Sequence, residues 1–271
     1  MWAEINGRLK GALPHVHASL KRWSASWRAS AAPLLPVPLW VRGDFYWVHP
    51  RVLTLETGDS EPHIARWILA QLPVGGVFFD VGAHFGWLSL KAARHVGRRG
   101  RVVAFEPSPA LVEILKYHQR RNRVKQMTVV AKAVSDTDAF RSPFHLLNGG
   151  LSFRNSVTID RAGLPFLDGV EKSTIEVPSL TLDSFCREEN LVPDAIKIDV
   201  EGGELLVLRG ASETLLRHHP ALILSVHPYW LPPSHSVERI FEFLEDHGYR
   251  VQDSQVVRFN GYEIGDYLLL A

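Results

Sequence analysis

From residue 61 to the C-terminus, short apolar runs alternate with stretches whose apolar residues recur every three or four positions. No other feature constrains the chain as strongly. Period-two strands and period-3.6 helices share one core by packing in layers. The runs Val77–Val81, Arg101–Phe105, Met127–Ala131, Ala195–Ile198 and Ala221–Val226 read as strands, short and apolar as buried parallel strands are. Between them, 62–72, 87–96, 109–121, 181–189, 204–217 and 237–247 read as helices, with Thr181 or Ser179 as a cap for the 181–189 helix. Tyr249–Val251 and Tyr267–Leu270 close the series as strands. Residues 136–173 are rich in Asp, Gly, Ser and Asn. A hairpin is expected near Phe140–Phe153, and residues 140–173 read as a lid near the acceptor. The expectation is an α/β fold around a mostly parallel sheet.

Composition narrows the function classes. With 46% hydrophobic and 22% charged residues, the chain has the apolar surface to fold. No run approaches the ~18 apolar residues of a membrane span. Cys186 is the single cysteine, which excludes an intrachain disulfide and a cysteine zinc site. Thirty basic against 29 acidic residues argue against general nucleic-acid binding.

Residues 1–42 differ from the rest: they carry six Lys or Arg against Glu4 alone, and are rich in tryptophan. They read as an N-terminal helical extension ahead of a domain over 43–271. Val16, Leu20, Trp23, Trp27 and Ala31 lie on one helical stripe. Packing of this stripe on the main domain, or on a second subunit in a homodimer, is the favoured reading. Membrane contact through residues 14–31 is the alternative. The segment lacks a secretory h-region, and the protein is expected to be cytoplasmic.

The first strand runs into Phe79-Asp80-Val81-Gly82-Ala83-His84-Phe85-Gly86-Trp87 and then a helix. Such a turn lies at the carboxyl edge of a parallel sheet, where ligands bind. Gly82 and Gly86 permit a sharp bend, and the helix start offers free N–H groups. Asp80 can accept from an ammonium or hydroxyl. Glu106 ends the second strand, where an acidic residue suits the two hydroxyls of a ribose. The pair fits a nucleoside cofactor. In the Gly-x-Gly-x-x-Gly fingerprint of dinucleotide binders the middle glycine clears space for a pyrophosphate. His84 stands there instead, which turns the reading from NAD towards S-adenosylmethionine.

Three blocks carry a resemblance: Phe-Phe-Asp80-Val-Gly82-Ala-His84-Phe-Gly86-Trp-Leu-Ser89-Leu, Val-Val-Ala-Phe-Glu106-Pro107-Ser-Pro, and Ile196-Lys197-Ile-Asp199-Val-Glu201-Gly202-Gly-Glu204 on through Arg209-Gly210-Ala. Over residues 55–270 the chain resembles the FkbM-family methyltransferases, class I enzymes that use S-adenosylmethionine. The resemblance implies a seven-stranded Rossmann-like sheet with helices on both faces, and methyl transfer to a hydroxyl. It implies that Asp80, Gly82, Ala83, His84 and Gly86 border the methionine part of the cofactor. Glu106 would hold the ribose, Ala133 and Val134 would lie by the adenine, and Glu61 would face the cofactor from before the first helix. Two positions depart from the family: His84 stands where Asn is usual, and Trp87 where a smaller aromatic is common.

On the acceptor side, Asp199 and Glu201 follow the fourth strand and His227 the fifth. Asp199 also borders the cofactor's methyl. His227 reads as the base near neutral pH. A divalent metal on Asp199, Glu201 and His227 is the alternative, less favoured because the sequence does not show that the three converge. Convergence on one point, with no Lys or Arg between them, would reverse that preference. The acceptor expected is a small molecule or glycan. A nucleic acid is not expected, because basic stretches 94–101 and 116–125 read as solvated helix faces. A nicotinamide oxidoreductase and an inactive cofactor-binding partner protein are the rival readings.

Overall fold

The computed structural model describes residues 36–41, 44–54, 62–152, 155–157, 171–259 and 262–271. The stretch 14–31 and Glu61 lie outside them, as do residues 158–170 of the expected lid. Strands β1 (Val37–Val41) and β2 (Asp44–Val48) form an antiparallel hairpin, and the boundary drawn at residue 42 falls in its turn. Helix α1 (Pro62–Gln71) leads into β3 (Val77–Val81), α2 (Trp87–Val96), β4 (Arg101–Phe105), α3 (Pro109–Arg121) and β5 (Met127–Val130). There follow β6 (Ala133–Val134), β7 (Ala139–Leu147), β8 (Lys172–Leu180), α4 (Leu182–Glu189) and β9 (Ala195–Ile198). Helices α5 (Glu204–Arg209) and α6 (Ser212–His218), β10 (Ala221–Val226), α7 (Val237–Asp246), β11 (Arg250–Phe259) and β12 (Tyr262–Leu270) complete the chain.

Seven strands form the main sheet in the order β11-β12-β10-β9-β3-β4-β5. It is parallel from β10 to β5, and β12 and β11 are antiparallel at one edge. This is the Rossmann-like α/β sheet. One apolar core lies between the sheet and helices α1, α2 and α3, with Ile64, Ile68, Leu90, Leu115, Phe78 and Ile223 in it. A second lies on the other face under α4 to α7, with Phe79, Ile196, Leu205, Leu215 and Ile240. Strand alternation explains the split: Phe78 and Phe79 are neighbours in sequence and enter opposite cores.

Three local expectations are corrected. In place of a hairpin near Phe140–Phe153, among the described residues β7 pairs along its length with β8 and makes one antiparallel bridge from His145 to Ser156, and β6-β8-β7 form a separate three-stranded sheet. The helix expected over 204–217 breaks at Gly210, whose carbonyl accepts the Asp183 N–H at 2.9 Å and where a Cβ would stand 2.0 Å from the Ser135 carbonyl oxygen. It restarts as α6, whose first N–H groups donate to Asp183, from Glu213 at 2.9 Å and Thr214 at 2.8 Å. The closing strands are also longer than the apolar runs at their ends. The expected cap holds: Thr181 Oγ1 accepts from the Ser184 N–H at 3.1 Å. Among the described residues no helix is long and apolar enough to cross a membrane.

Candidate functional site

The site lies at the carboxyl ends of β3, β4, β9 and β10, where the face that covers α1 changes from apolar to polar. On β3, Phe78 is core and Asp80 is not; on β9, Ala195 is core, and Lys197 and then Asp199 follow with the same parity. Asp80 is paired with Lys197 across the two strands. A buried lysine inside a four-residue apolar strand must find partners. Lys197 Nζ stands 3.6 Å from Asp80 Oδ1 and 3.2 Å from Asp199 Oδ2, and donates to the Gly82 carbonyl at 2.9 Å.

The loop after β3 is held by left-handed backbone at Gly82 (φ 77°), His84 (φ 52°) and Gly86 (φ 79°). The two glycines make room for the chain itself. A Cβ on Gly82 would sit 1.9 Å from the Asp199 carbonyl oxygen, and one on Gly86 would sit 2.5 Å from Leu115 Cδ2. At position 84 the left-handed conformation is one that histidine, like asparagine and aspartate, adopts more readily than other residues with a side chain. Burial pushes the His84 imidazole down to about 4, against a hydrogen bond with the Leu151 backbone, so the ring is neutral at pH 7.

Asp80 is 1% exposed and accepts from Ser89 Oγ, while its Oδ1 accepts no hydrogen bond. Glu106 accepts from the N–H groups of His84 at 2.9 Å and Ser108 at 3.0 Å. Burial pushes its carboxyl up to about 7, with those two donors acting in the opposite sense. A buried aspartate oxygen with no donor and a buried glutamate with spare lone pairs at the next strand end fit the ammonium and ribose hydroxyls of S-adenosylmethionine. Ala133 and Val134 lie on β6, buried and paired with Ser179 and Leu180, with their side chains in apolar clusters.

Asp199, Glu201 and His227 converge, each offering a donor atom within 4.8 Å of the other two. His227 Nε2 stands 3.6 Å from Asp199 Oδ1 and 3.5 Å from Glu201 Oε1. Its Nδ1 is 2.9 Å from Glu204 Oε1, which also accepts the Gly202 N–H at 2.9 Å. Glu201 reaches the cluster from a left-handed backbone, φ 53°. Burial alone would lower the Nε2/Nδ1 pKa of His227, but Glu201, Glu204 and Asp199 outweigh it and raise it to about 10. Against the expectation of a base near neutral pH, the three carboxylates around His227 favour the protonated ring. Burial would raise Asp199, yet Lys197 and His227 hold it below the usual carboxylate range.

Lys197 and Glu204, to which the sequence assigned no role, stand inside this cluster. For Lys197 the signal was present, a charge inside the apolar run Ala195–Ile198. Also unforeseen is a buried network beside the cluster: Asp266 accepts from Ser225 Oγ at 2.7 Å and lies 2.7 Å from His63 Nε2.

The model of the FkbM methyltransferase domain matches residues 80–251, from Asp80 of the loop to the first residues of β11. The chain belongs to the FkbM methyltransferase family. No curated protein matches it. Among solved structures, an FkbM methyltransferase from Methylobacillus flagellatus is similar at 20% identity and a TM-score of 0.48, over 71% of this chain and 43% of that one. The chain thus spans less than half the length of that relative. TYW2 from M. jannaschii in complex with AdoMet is similar at 12% identity and a TM-score of 0.48, over 87% of this chain and 85% of that one. Magnesium protoporphyrin IX methyltransferase from Synechocystis with bound SAM is similar at 15% identity and a TM-score of 0.45, over 76% of each chain. Family membership sets the nicotinamide reading aside.

Proposed function

We propose that this FkbM-family chain methylates a hydroxyl oxygen of a small molecule or glycan, with S-adenosylmethionine as donor. The observation that carries the reading is the Asp199–Glu201–His227 cluster, one strand away from the Asp80–Gly86 loop and tied to it through Lys197. S-adenosylmethionine, when bound, supplies a methyl on a sulfonium whose C–S electron pair stays with sulfur as the acceptor oxygen takes the carbon. Asp80 and Glu106 bind and orient the donor, while Lys197 fixes the distance between the two halves. Placing an oxygen in line with that carbon is worth about 7–11 kcal/mol of barrier.

The hydroxyl proton passes to one of the two carboxylates at the cluster, Asp199 or Glu201. His227, fixed through Nδ1 by Glu204, aims Nε2 at the same point and orients the hydroxyl. Four acidic side chains, Asp80, Asp199, Glu201 and Glu204, stand against Lys197 and His227 here. Such a pocket favours a cationic sulfonium and a neutral acceptor and repels phosphodiesters, which supports a glycan or small molecule over nucleic acid.

The test is methyl transfer from labelled S-adenosylmethionine by the full chain to a panel of sugars, glycans and phenols, with RNA and amines alongside. Label in a base-stable ether is the expected product. Label confined to amines or RNA overturns the reading, and binding of S-adenosylhomocysteine without transfer to any acceptor class points to the inactive partner protein.

A further inference from the structure

We propose that Asp199, Glu201 and His227 form a binding site for one divalent cation of the Mn²⁺ type, with coordination positions left over for the acceptor hydroxyl. The argument starts from a spacing. A ring nitrogen that is hydrogen-bonded to a carboxylate closes to about 2.7–2.9 Å. Nδ1 does this with Glu204, at 2.9 Å. Nε2 does not: the two carboxylate oxygens facing it stand at 3.5 and 3.6 Å, too long for a hydrogen bond. Donors held about 2.1 Å from a common ion are separated by about 3.0–3.4 Å, so this spacing is near that of a coordination polyhedron.

The second observation is Glu204. Histidines that bind metals almost always give their other ring nitrogen to a carboxylate, which fixes the tautomer and aims the free nitrogen. Glu204 is 0% exposed and takes that position on Nδ1. Lys197 does not block the point, because it pairs with Asp199 Oδ2 while Oδ1 faces His227. About a quarter of the Asp199 side chain is open, which gives an entry path. Two carboxylates and one imidazole suit a borderline ion such as Mn²⁺ better than a thiolate-seeking one. Three protein donors leave sites for the acceptor. A hydroxyl bound there has a lowered pKa, and its proton leaves to the same carboxylates as in the methyl-transfer reading, on which the ion's role, but not the site, depends.

Metal-stripped full-length protein is titrated with Mn²⁺ alone, and free Mn²⁺ is followed by its electron paramagnetic resonance signal. The expected result is one ion per chain with a micromolar Kd. Glu201→Gln and Glu204→Gln, both isosteric, should each weaken it by about 10- to 100-fold, the latter without touching the ion. Circular dichroism and S-adenosylhomocysteine binding check that the variants are folded, and the wild-type titration stands without them. Millimolar binding, or binding that both variants leave unchanged, means scattered surface carboxylates only and overturns the site. Undiminished methyl transfer by metal-stripped protein in chelator overturns the ion's role with the acceptor hydroxyl and leaves the methyl-transfer reading intact. Stoichiometric Mn²⁺ binding with no transfer to any hydroxyl upholds the site and overturns the methyl-transfer reading.

Discussion

The loops after β3 and after β9 lie side by side and are built on opposite plans. In the first, the chain supplies hydrogen bonds to each carboxylate: Ser89 to one oxygen of Asp80, the N–H groups of His84 and Ser108 to Glu106. In the second, Asp199 and Glu201 face His227 across gaps of 3.5–3.6 Å with no hydrogen bond between them. Both loops mix glycine with a side chain in left-handed backbone: Gly82, His84 and Gly86 in the first, Glu201 and Gly202 in the second. A hydrogen-bonded carboxylate is finished and waits for one ligand shape. A group of carboxylates facing one ring nitrogen at these gaps still has coordination to give.

The plan of the first loop is broken most severely by Gly82→Ala. The new Cβ would meet the Asp199 carbonyl at 1.9 Å, on a backbone with φ 77°. A loss of about 4 kcal/mol of folding stability is expected in urea denaturation. A loss under about 1 kcal/mol would mean that the two loops do not interlock. Next in size, Glu106→Ala should cost about 1.5–3 kcal/mol of S-adenosylhomocysteine binding by calorimetry and leave Mn²⁺ binding at the other loop unchanged. Loss of both would show that the loops act as one unit.

The smallest effect is on pH. Burial raises Glu106 from 4.5 to about 7 in the free protein, so the folded state holds its proton more tightly than the unfolded chain. Its contribution to stability is therefore fully present below pH 4.5 and is lost as pH rises through about 7. Cofactor binding has the opposite dependence, since the ribose hydroxyls need the ionised carboxylate. Affinity for S-adenosylhomocysteine should fall about tenfold per pH unit below 7. A flat profile between pH 5.5 and 8 would remove Glu106 from the binding site.

What was legible in the sequence follows the range of the interactions. The strands and helices around the main sheet, Thr181 as a cap and the loop glycines are local signals, read from period and spacing. The break at Gly210 was not legible, because Ser135 and Asp183, which meet the chain there, lie 75 and 27 residues away. β7 and β8 pair across the polar segment that hid them, and the middle of β11, Asp253 to Gln255, is exposed and carries no apolar pattern. In the site, the residue types were readable and the protonation of His227 was not. It depends on Glu204, which in sequence looks like the first residue of a helix and in space is the partner of Nδ1.

The contact between Gly82 and Asp199 also bears on how the protein is made. During synthesis β3, β4 and β5 emerge first, and the strand that will cover the other side of β3, β9, follows more than a hundred residues later. Until then β3 is an edge strand with unpaired backbone, and the Asp80–Gly86 loop lacks the wall that shapes it. The nascent chain therefore carries a sticky edge and no working cofactor pocket while the residues between β3 and β9 are being made, a span in which a chaperone has something to hold and the cofactor has not.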